Sequence, residues 1–453
     1  MSAADQLSSL TPPAPTLPRR RPAVTLRRHS RSGVWRSATA AAATAATAMA
    51  LLLAACSGGD GGSDDKASTT TTKATTTTSV ADRSGEPIVT TTVFSAGEDG
   101  YATYRIPAVV RAGDGTLIAF AEARVASAAD HGDVDLIAKR STDDGVTWGE
   151  LQVVADMGSD FIGNPSPVLH EESGRLVLLA TFKNAADQEM QILSGTGIDT
   201  SRQYLLTSDD AGETWSEPTE ITEAVKRPEW RWYSVGPGHA FQLHTGPNAG
   251  RLVAAANHSD EAMNYGAHLL FSDDGGKTWS IGASDTPQGG PMHPNEATAA
   301  QVADGTIVVS ARDQGGLDEW HRLQTTSTDG GESFTGPFEN QQGLVTPVVQ
   351  GSMLWLDLGT GAGSRSEPDQ RGDGILLFSA PSHGTDRVNL MVRTSSDGGA
   401  TWKDGLLLRE GPSGYSDLLA LPGHAVGVLY ETGDATAVER IDFVTFGADK
   451  LSG

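Results

Sequence analysis

The chain has 453 residues, with 57 acidic side chains against 33 lysines and arginines, for a formal net charge of −24. So acidic a surface repels a phosphate backbone, which argues against nucleic-acid binding. It also makes any local cluster of arginines conspicuous, because an anionic ligand must find it against the field of the whole molecule.

Residues 1–37 carry seven arginines, no lysine and one acid. An alanine-rich apolar run, Ala38 to Ala55, follows and ends in Leu51-Leu52-Leu53-Ala54-Ala55. This order of basic, apolar and small residues describes a secretory signal. Cys56, the only cysteine, comes next, and Leu53-Ala54-Ala55-Cys56 resembles a bacterial lipobox, which implies lipidation of Cys56 and a protein exported to the membrane surface, with secretion the alternative. A signal-anchor helix is the competing reading, since eighteen apolar residues just span a bilayer. Residues 57–85 are rich in Gly, Asp, Ser and Thr with no apolar period, so they read as a disordered tether. Beyond residue 56 no run is long and apolar enough to cross a membrane as a helix. Without residues 1–55 the balance is 26 basic to 56 acidic groups, a net charge of −30.

Residues 86–453 form the folded part. Through it run five octapeptides of the form Ser-x-Asp-x-Gly-x-Thr/Ser-aromatic: Ser141 to Trp148, Ser208 to Trp215, Ser272 to Trp279, Ser327 to Phe334 and Ser395 to Trp402. Each reads as a turn. The Asp carboxylate accepts from the following backbone, Gly takes a positive φ, and the aromatic packs the turn on its own sheet. A period near 60 residues, repeated, means one supersecondary unit placed around an axis. Four strands per unit give a propeller blade, and the length accommodates six, one without the octapeptide. Short apolar runs bounded by turns read as central strands: Leu117 to Phe120, Leu176 to Leu179, Leu252 to Ala255, Ile307 to Val309, Ile375 to Phe378 and Val426 to Leu429. The β-prone segments Val89 to Phe94 and Ile441 to Phe443 are expected to share one blade and close the ring.

Three arginines stand at strand ends in three different units: Arg105 in Tyr104-Arg105-Ile106-Pro107, Arg312 after Ala311, and Arg387 before Val388. Converging guanidinium groups would clamp a carboxylate bidentately. These motifs, together with Gly163-Asn164-Pro165, Gly236-Pro237-Gly238-His239, Asn295-Glu296-Ala297-Thr298, Tyr415 and Leu429-Tyr430-Glu431, give the chain a resemblance to the bacterial and animal exo-α-sialidases over nearly all of 90–447. The resemblance implies an all-β six-bladed propeller. It also implies an Arg105, Arg312 and Arg387 triad for the substrate carboxylate, with Glu431 steadying Arg105. Tyr415 would be the nucleophile, Glu296 its base and Asp130 the acid/base, with Asp133 the competitor for that last role. Arg124 and Asn164 would line the sugar pocket.

The chemistry is coherent. The anomeric carbon of sialic acid carries a carboxylate that repels an Asp or Glu nucleophile. A neutral phenol avoids that repulsion, but with a free pKa of about 10 it needs a base. Such enzymes depart from the two-carboxylate scheme of most glycosidases. No cofactor or metal is implied. The implied partners are sialylated glycoproteins, glycolipids or oligosaccharides, with the protein a monomer. Two alternatives stay open. One is a non-catalytic sialoglycan-binding propeller. The other is a trans-sialidase, which would need an aromatic acceptor platform such as Trp230, Trp232 and Trp320. His239, His293 and His321 read as structural, and Arg371-Gly372-Asp373 as a chance match to an integrin tripeptide.

Overall fold

A computed structural model describes residues 83–316, 321–359 and 373–451. Cys56, the apolar run before it, Trp320 and Arg371-Gly372 therefore lie outside the described residues.

The fold is all-β and built of short antiparallel meanders. In chain order the strands are β1 (Val89–Ser95), β2 (Thr103–Arg111), β3 (Leu117–Arg124), β4 (Val134–Ser141), β5 (Gln152–Ala155), β6 (Phe161–His170), β7 (Arg175–Lys183) and β8 (Arg202–Ser208). Then come β9 (Thr219–Glu220), β10 (Tyr233–Val235), β11 (Phe241–Gln242), β12 (Leu252–Ser259), β13 (Tyr265–Ser272), β14 (Ser280–Asp285), β15 (Pro294–Gln301) and β16 (Ile307–Asp313). The last are β17 (Arg322–Ser327), β18 (Glu339–Asn340), β19 (Ser352–Asp357), β20 (Gly374–Pro381), β21 (Val388–Ser395), β22 (Lys403–Leu421), β23 (Ala425–Thr432) and β24 (Arg440–Gly447). A short helix α1 (Glu189–Leu193) interrupts the connection after β7.

The strands pair in the orders β2-β3-β4-β5, β6-β7-β8-β9, β10 and β11 on β12 followed by β13-β14, and β15-β16-β17-β18. β19-β20-β21 continues onto β22, which is long enough to pair β21 along its first part and β23 along its last. The final group is β22-β23-β24-β1. Its closing pair joins the two ends of the described chain, with Thr91 opposite Phe443 and Phe94 opposite Ile441, as expected. Successive groups pack side by side around a ring, through their first strands except where β12, the second strand of its group, meets the next: β2 on β6, β6 on β10 and β11, β12 on β15, β15 on β19, β19 on β22 and β22 on β2. This arrangement is a β-propeller.

Each predicted apolar run lies in the second strand of its group: β3, β7, β12, β16, β20 or β23. β3, β12, β16 and β23 are buried at every position. A strand covered on both faces by neighbouring groups has no solvent side, so it reads as a continuous apolar run rather than an alternation. Each buried Leu, Ile or Phe contributes about 1.5–3 kcal/mol.

The octapeptides connect the third and fourth strands of their groups. In the first, Ser141 Oγ donates to Asp143 Oδ1 (2.8 Å), and the Thr147 amide and hydroxyl donate to the same carboxylate at 2.9 and 2.6 Å. Gly145 adopts φ = 87°, and a Cβ there would lie 2.2 Å from the Phe443 ring. The group closed by β1 lacks the octapeptide for a simple reason: its third and fourth strands, β24 and β1, come from opposite ends of the described residues and are not joined by a turn. One expectation is corrected. The aromatic does not always pack on its own sheet, for Trp148 packs edge-on against Phe443 of β24, and Trp215 against Phe120 of β3. Each reaches the preceding group, so these turns fasten one meander to the one before it.

Candidate active site

Four of the inner strands break register near the same end of the ring. The irregularities fall between Arg105 and Ala108 on β2, Gly163 and Ser166 on β6, Pro294 and Ala297 on β15, and Ser413 and Ser416 on β22. A bulge adds a residue to one strand and re-aims its side chain. Here the bulged segments contain or adjoin Arg105, Asn164, Glu296 and Tyr415. Ile106 and Asn164 sit at φ = 58° and 50°, a region unfavourable for residues with a side chain.

These side chains line one cavity of about 690 Å³, shared with Arg124, Asp130, Arg312 and Arg387. Glu431 lies behind it, buried, with Oε1 accepting from Arg105 Nε at 2.6 Å and from the Ile106 amide at 2.8 Å. Its other oxygen accepts from the Tyr415 amide at 3.0 Å. One carboxylate thus holds Arg105 and the backbone of Tyr415 together. Burial works against the charge on Arg105, but Glu431 outweighs it and raises the pKa.

Tyr415 Oη donates to Glu296 Oε1 at 2.6 Å and accepts from Arg312 Nη1 at 3.0 Å. Arg312 Nη1 also lies 2.7 Å from Glu296 Oε2, and its Nη2 donates to Gln314. Burial and then the Glu296 charge push the phenol pKa above its ordinary value, against the arginines. The guanidinium carbons of Arg105 and Arg387 lie 5.5 and 5.3 Å from the Tyr415 ring centre. Arg387 is exposed, and its Nη2 donates to the Val348 carbonyl at 3.0 Å.

Across the cavity, Asp130 Oδ1 lies 2.7 Å from Arg124 Nη1 and 4.0 Å from Arg105 Nη1. Its side chain is largely exposed at the cavity mouth; desolvation beside the cavity wall opposes its charge, yet Arg124 and then Arg105 prevail and hold its pKa below the usual carboxylate value. Asp133 is not among the lining residues. The Asn164 side chain donates to Ser234, and its amide donates to Glu122 Oε1 at 3.0 Å.

Glu122, Lys183, Glu189 and Gln314 are among the cavity residues that escaped the sequence reading. Glu122 is buried and bonds Arg124 at 2.7 Å. Its spacing of two from Arg124 on a strand, which puts both on one face, was the available signal. Of the tryptophans considered as a platform, Trp230 is buried and stacked 3.8 Å from His258, while Trp232 lines the cavity and donates to Asn257. His239, His293 and His321 lie outside the lining. His239 bonds Asp417, and His321 the Thr346 carbonyl.

A ring of Asp-turn meanders with a cavity of arginines and a carboxylate-bonded tyrosine at one end defines a BNR-repeat propeller. Residues 115–428 match the family model described as a BNR repeat-like domain. The chain is 31% identical to a mouse protein named Sialidase-3 over 79% of its own length and 94% of that protein's. It is also 31% identical to a Micromonospora viridifaciens sialidase, covering 80% of this chain but only 55% of that protein. The chain thus spans about half the length of this bacterial relative. The solved Hadza microbial sialidase Hz136 superposes with a TM-score of 0.68 at 29% identity, covering 80% of this chain and 69% of that one. The chain belongs to the sialidase family.

Proposed function

We propose that this chain is a retaining exo-α-sialidase on a six-bladed propeller, hydrolysing terminal sialic acid through a tyrosyl-enzyme intermediate. The observation that carries the reading is Tyr415 Oη held between Glu296 Oε1 at 2.6 Å and Arg312 Nη1 at 3.0 Å. The raised phenol pKa keeps Tyr415 neutral at rest, so the incoming substrate carboxylate meets no repelling charge. As its oxygen bonds to the anomeric carbon, the proton passes to Glu296, and Arg312 stabilises the developing negative charge.

Arg105, Arg312 and Arg387 bind the substrate carboxylate. Asp130 protonates the leaving oxygen and then activates water. At rest Asp130 is ionised by Arg124 and Arg105. A substrate carboxylate placed on Arg105 offsets that cation and itself disfavours a second anion, so substrate binding raises the Asp130 pKa toward the protonated form the step requires. Arg124 and Asn164 line the sugar pocket. The enzyme acts as a monomer, with residues 86–453 as the propeller, held at the membrane surface by a lipid on Cys56 and the tether 57–85.

The test is incubation with a sialoside followed by NMR. Release of the α-anomer of sialic acid before mutarotation is expected. Release of the β-anomer first, or no turnover, overturns the reading.

A further inference from the structure

We propose that Lys183 is the positioning residue for the acid/base, latching the loop that carries Asp130; the proposal rests on the sialidase reading above.

The loop between β3 and β4, residues 125–133, has no core anchor. Residues 125–128 are exposed, and the Asp130 side chain is 81% exposed. The Val125 amide and the Asp133 carbonyl close its base at 3.1 Å. Two side chains from neighbouring strands, β3 and β7, hold its backbone. Arg124 Nη1 donates to the Ala128 carbonyl at 2.6 Å, and Lys183 Nζ donates to the carbonyl of Asp130 itself at 2.8 Å.

Lys183 comes from the neighbouring group, at the end of β7. It is 4% exposed, with its ammonium 4.0 Å from the centre of the Phe161 ring and 5.2 Å from that of Trp232. Burying an ammonium is costly, and here burial outweighs the attraction of Glu122 and Asp130 and lowers the lysine pKa. An uncharged side chain of similar length would pack against Phe161 and Trp232 without that cost. What such a side chain lacks is a donor for the Asp130 carbonyl.

The bond matters most when substrate is bound. The other holds on Asp130 are its carboxylate's ion pairs with Arg124 and, at 4.0 Å, with Arg105, and both weaken once the acid is protonated for its task. The Lys183 bond goes to the backbone, so it is indifferent to the side chain's protonation state. It keeps the acid at the same height over the cavity in both halves of the cycle.

The test uses the full chain and two substrates, sialyllactose and 4-methylumbelliferyl sialoside. Only the first needs a proton on its leaving group. For Lys183→Met, kcat/KM on sialyllactose should fall by roughly tenfold or more, and on the aryl sialoside by less than about threefold, through kcat rather than KM. Lys183→Cys should behave likewise and recover on alkylation with 2-bromoethylamine, which rebuilds an ammonium at the same reach. Wild type treated in parallel controls for Cys56. Equal losses on both substrates, wild-type rates on both, or a folded Lys183→Cys that alkylation does not restore would overturn the latch. If Lys183→Met does not fold, the alkylation pair decides. A wild-type chain inactive on both substrates overturns the sialidase reading, and the latch with it, whereas an active wild type with uniform losses overturns the latch alone.

Discussion

His239 Nδ1 lies 2.7 Å from Asp417 Oδ1, deep in the propeller and two residues along β22 from Tyr415. The other Asp417 oxygen accepts from the His239 amide and from the Val109 amide, and Ser352 Oγ donates to Oδ1. One buried carboxylate therefore joins β2, β19, β22 and the segment between β10 and β11. Burial lowers the His239 pKa, but Asp417 more than restores it and raises it overall. A raised histidine adds stability that is complete below the unfolded value of about 6.5 and is lost as pH rises through the folded one. Thermal unfolding should show a loss on the alkaline side that Asp417→Ala abolishes. That variant should also be about 3–5 kcal/mol less stable, because the remaining partners are left buried and unpaired. An unchanged Tm would contradict this.

A second histidine pair predicts the opposite sign. His258 and His268 face each other at 3.0 Å between Nδ1 atoms. Burial first, then Arg227, lowers the His258 pKa to about 3, and burial also drives His268 well down. The unfolded chain takes up these protons near pH 6.5 and the folded one does not. Stability is thus complete above about pH 6.5 and lost as pH falls toward 3. The double variant His258→Gln/His268→Gln should have a shallower acid limb in a Tm-against-pH series. Parallel curves would show that other groups govern acid unfolding.

Tyr415→Phe keeps the ring and removes the attacking oxygen. Its kcat should fall by roughly a thousandfold or more with an unchanged Tm, since covalent catalysis is lost. Glu296→Gln should fall by about 10²–10⁴, the usual worth of a general base. Mass spectrometry of peptides after trapping with a 3-fluoro sialosyl fluoride should find the label on Tyr415. A label on another residue would refute the assignment.

Asp130→Ala should reverse its rank with leaving group. Hydrolysis of unactivated sialosides should drop by roughly 10²–10⁴, and that of activated aryl sialosides far less, because a good leaving group needs no proton. A uniform loss across a leaving-group series would return Asp133 to consideration.

Cys56→Ser should release the protein from the membrane fraction of an expressing bacterium. Retention in that fraction would favour a signal-anchor helix over lipidation.

The Asp turns and central strands were legible in the sequence because their causes are local. The turn is sealed by bonds within eight residues, as between Ser141, Asp143 and Thr147, and a strand such as β3 is apolar throughout because it is covered on both faces. Arg105 and Arg312 stood out by their places at strand ends, but Glu296 and Tyr415 were legible only through motifs shared with sialidases, and nothing in the spacing of the four shows that β2, β15, β16 and β22 meet at one end of a ring. Tertiary structure alone decided the rest. The bulges that turn Asn164, Glu296 and Tyr415 into the cavity are differences of register between paired strands, and a single strand carries no register. Glu122 and Lys183 read as ordinary charged strand residues. What makes them part of the site is burial against Arg124 and Asp130, which depends on how the groups close around the cavity. Trp148 and Trp215 likewise found their partners on the preceding group, because packing follows whichever surface the ring brings near rather than the sheet the residue belongs to.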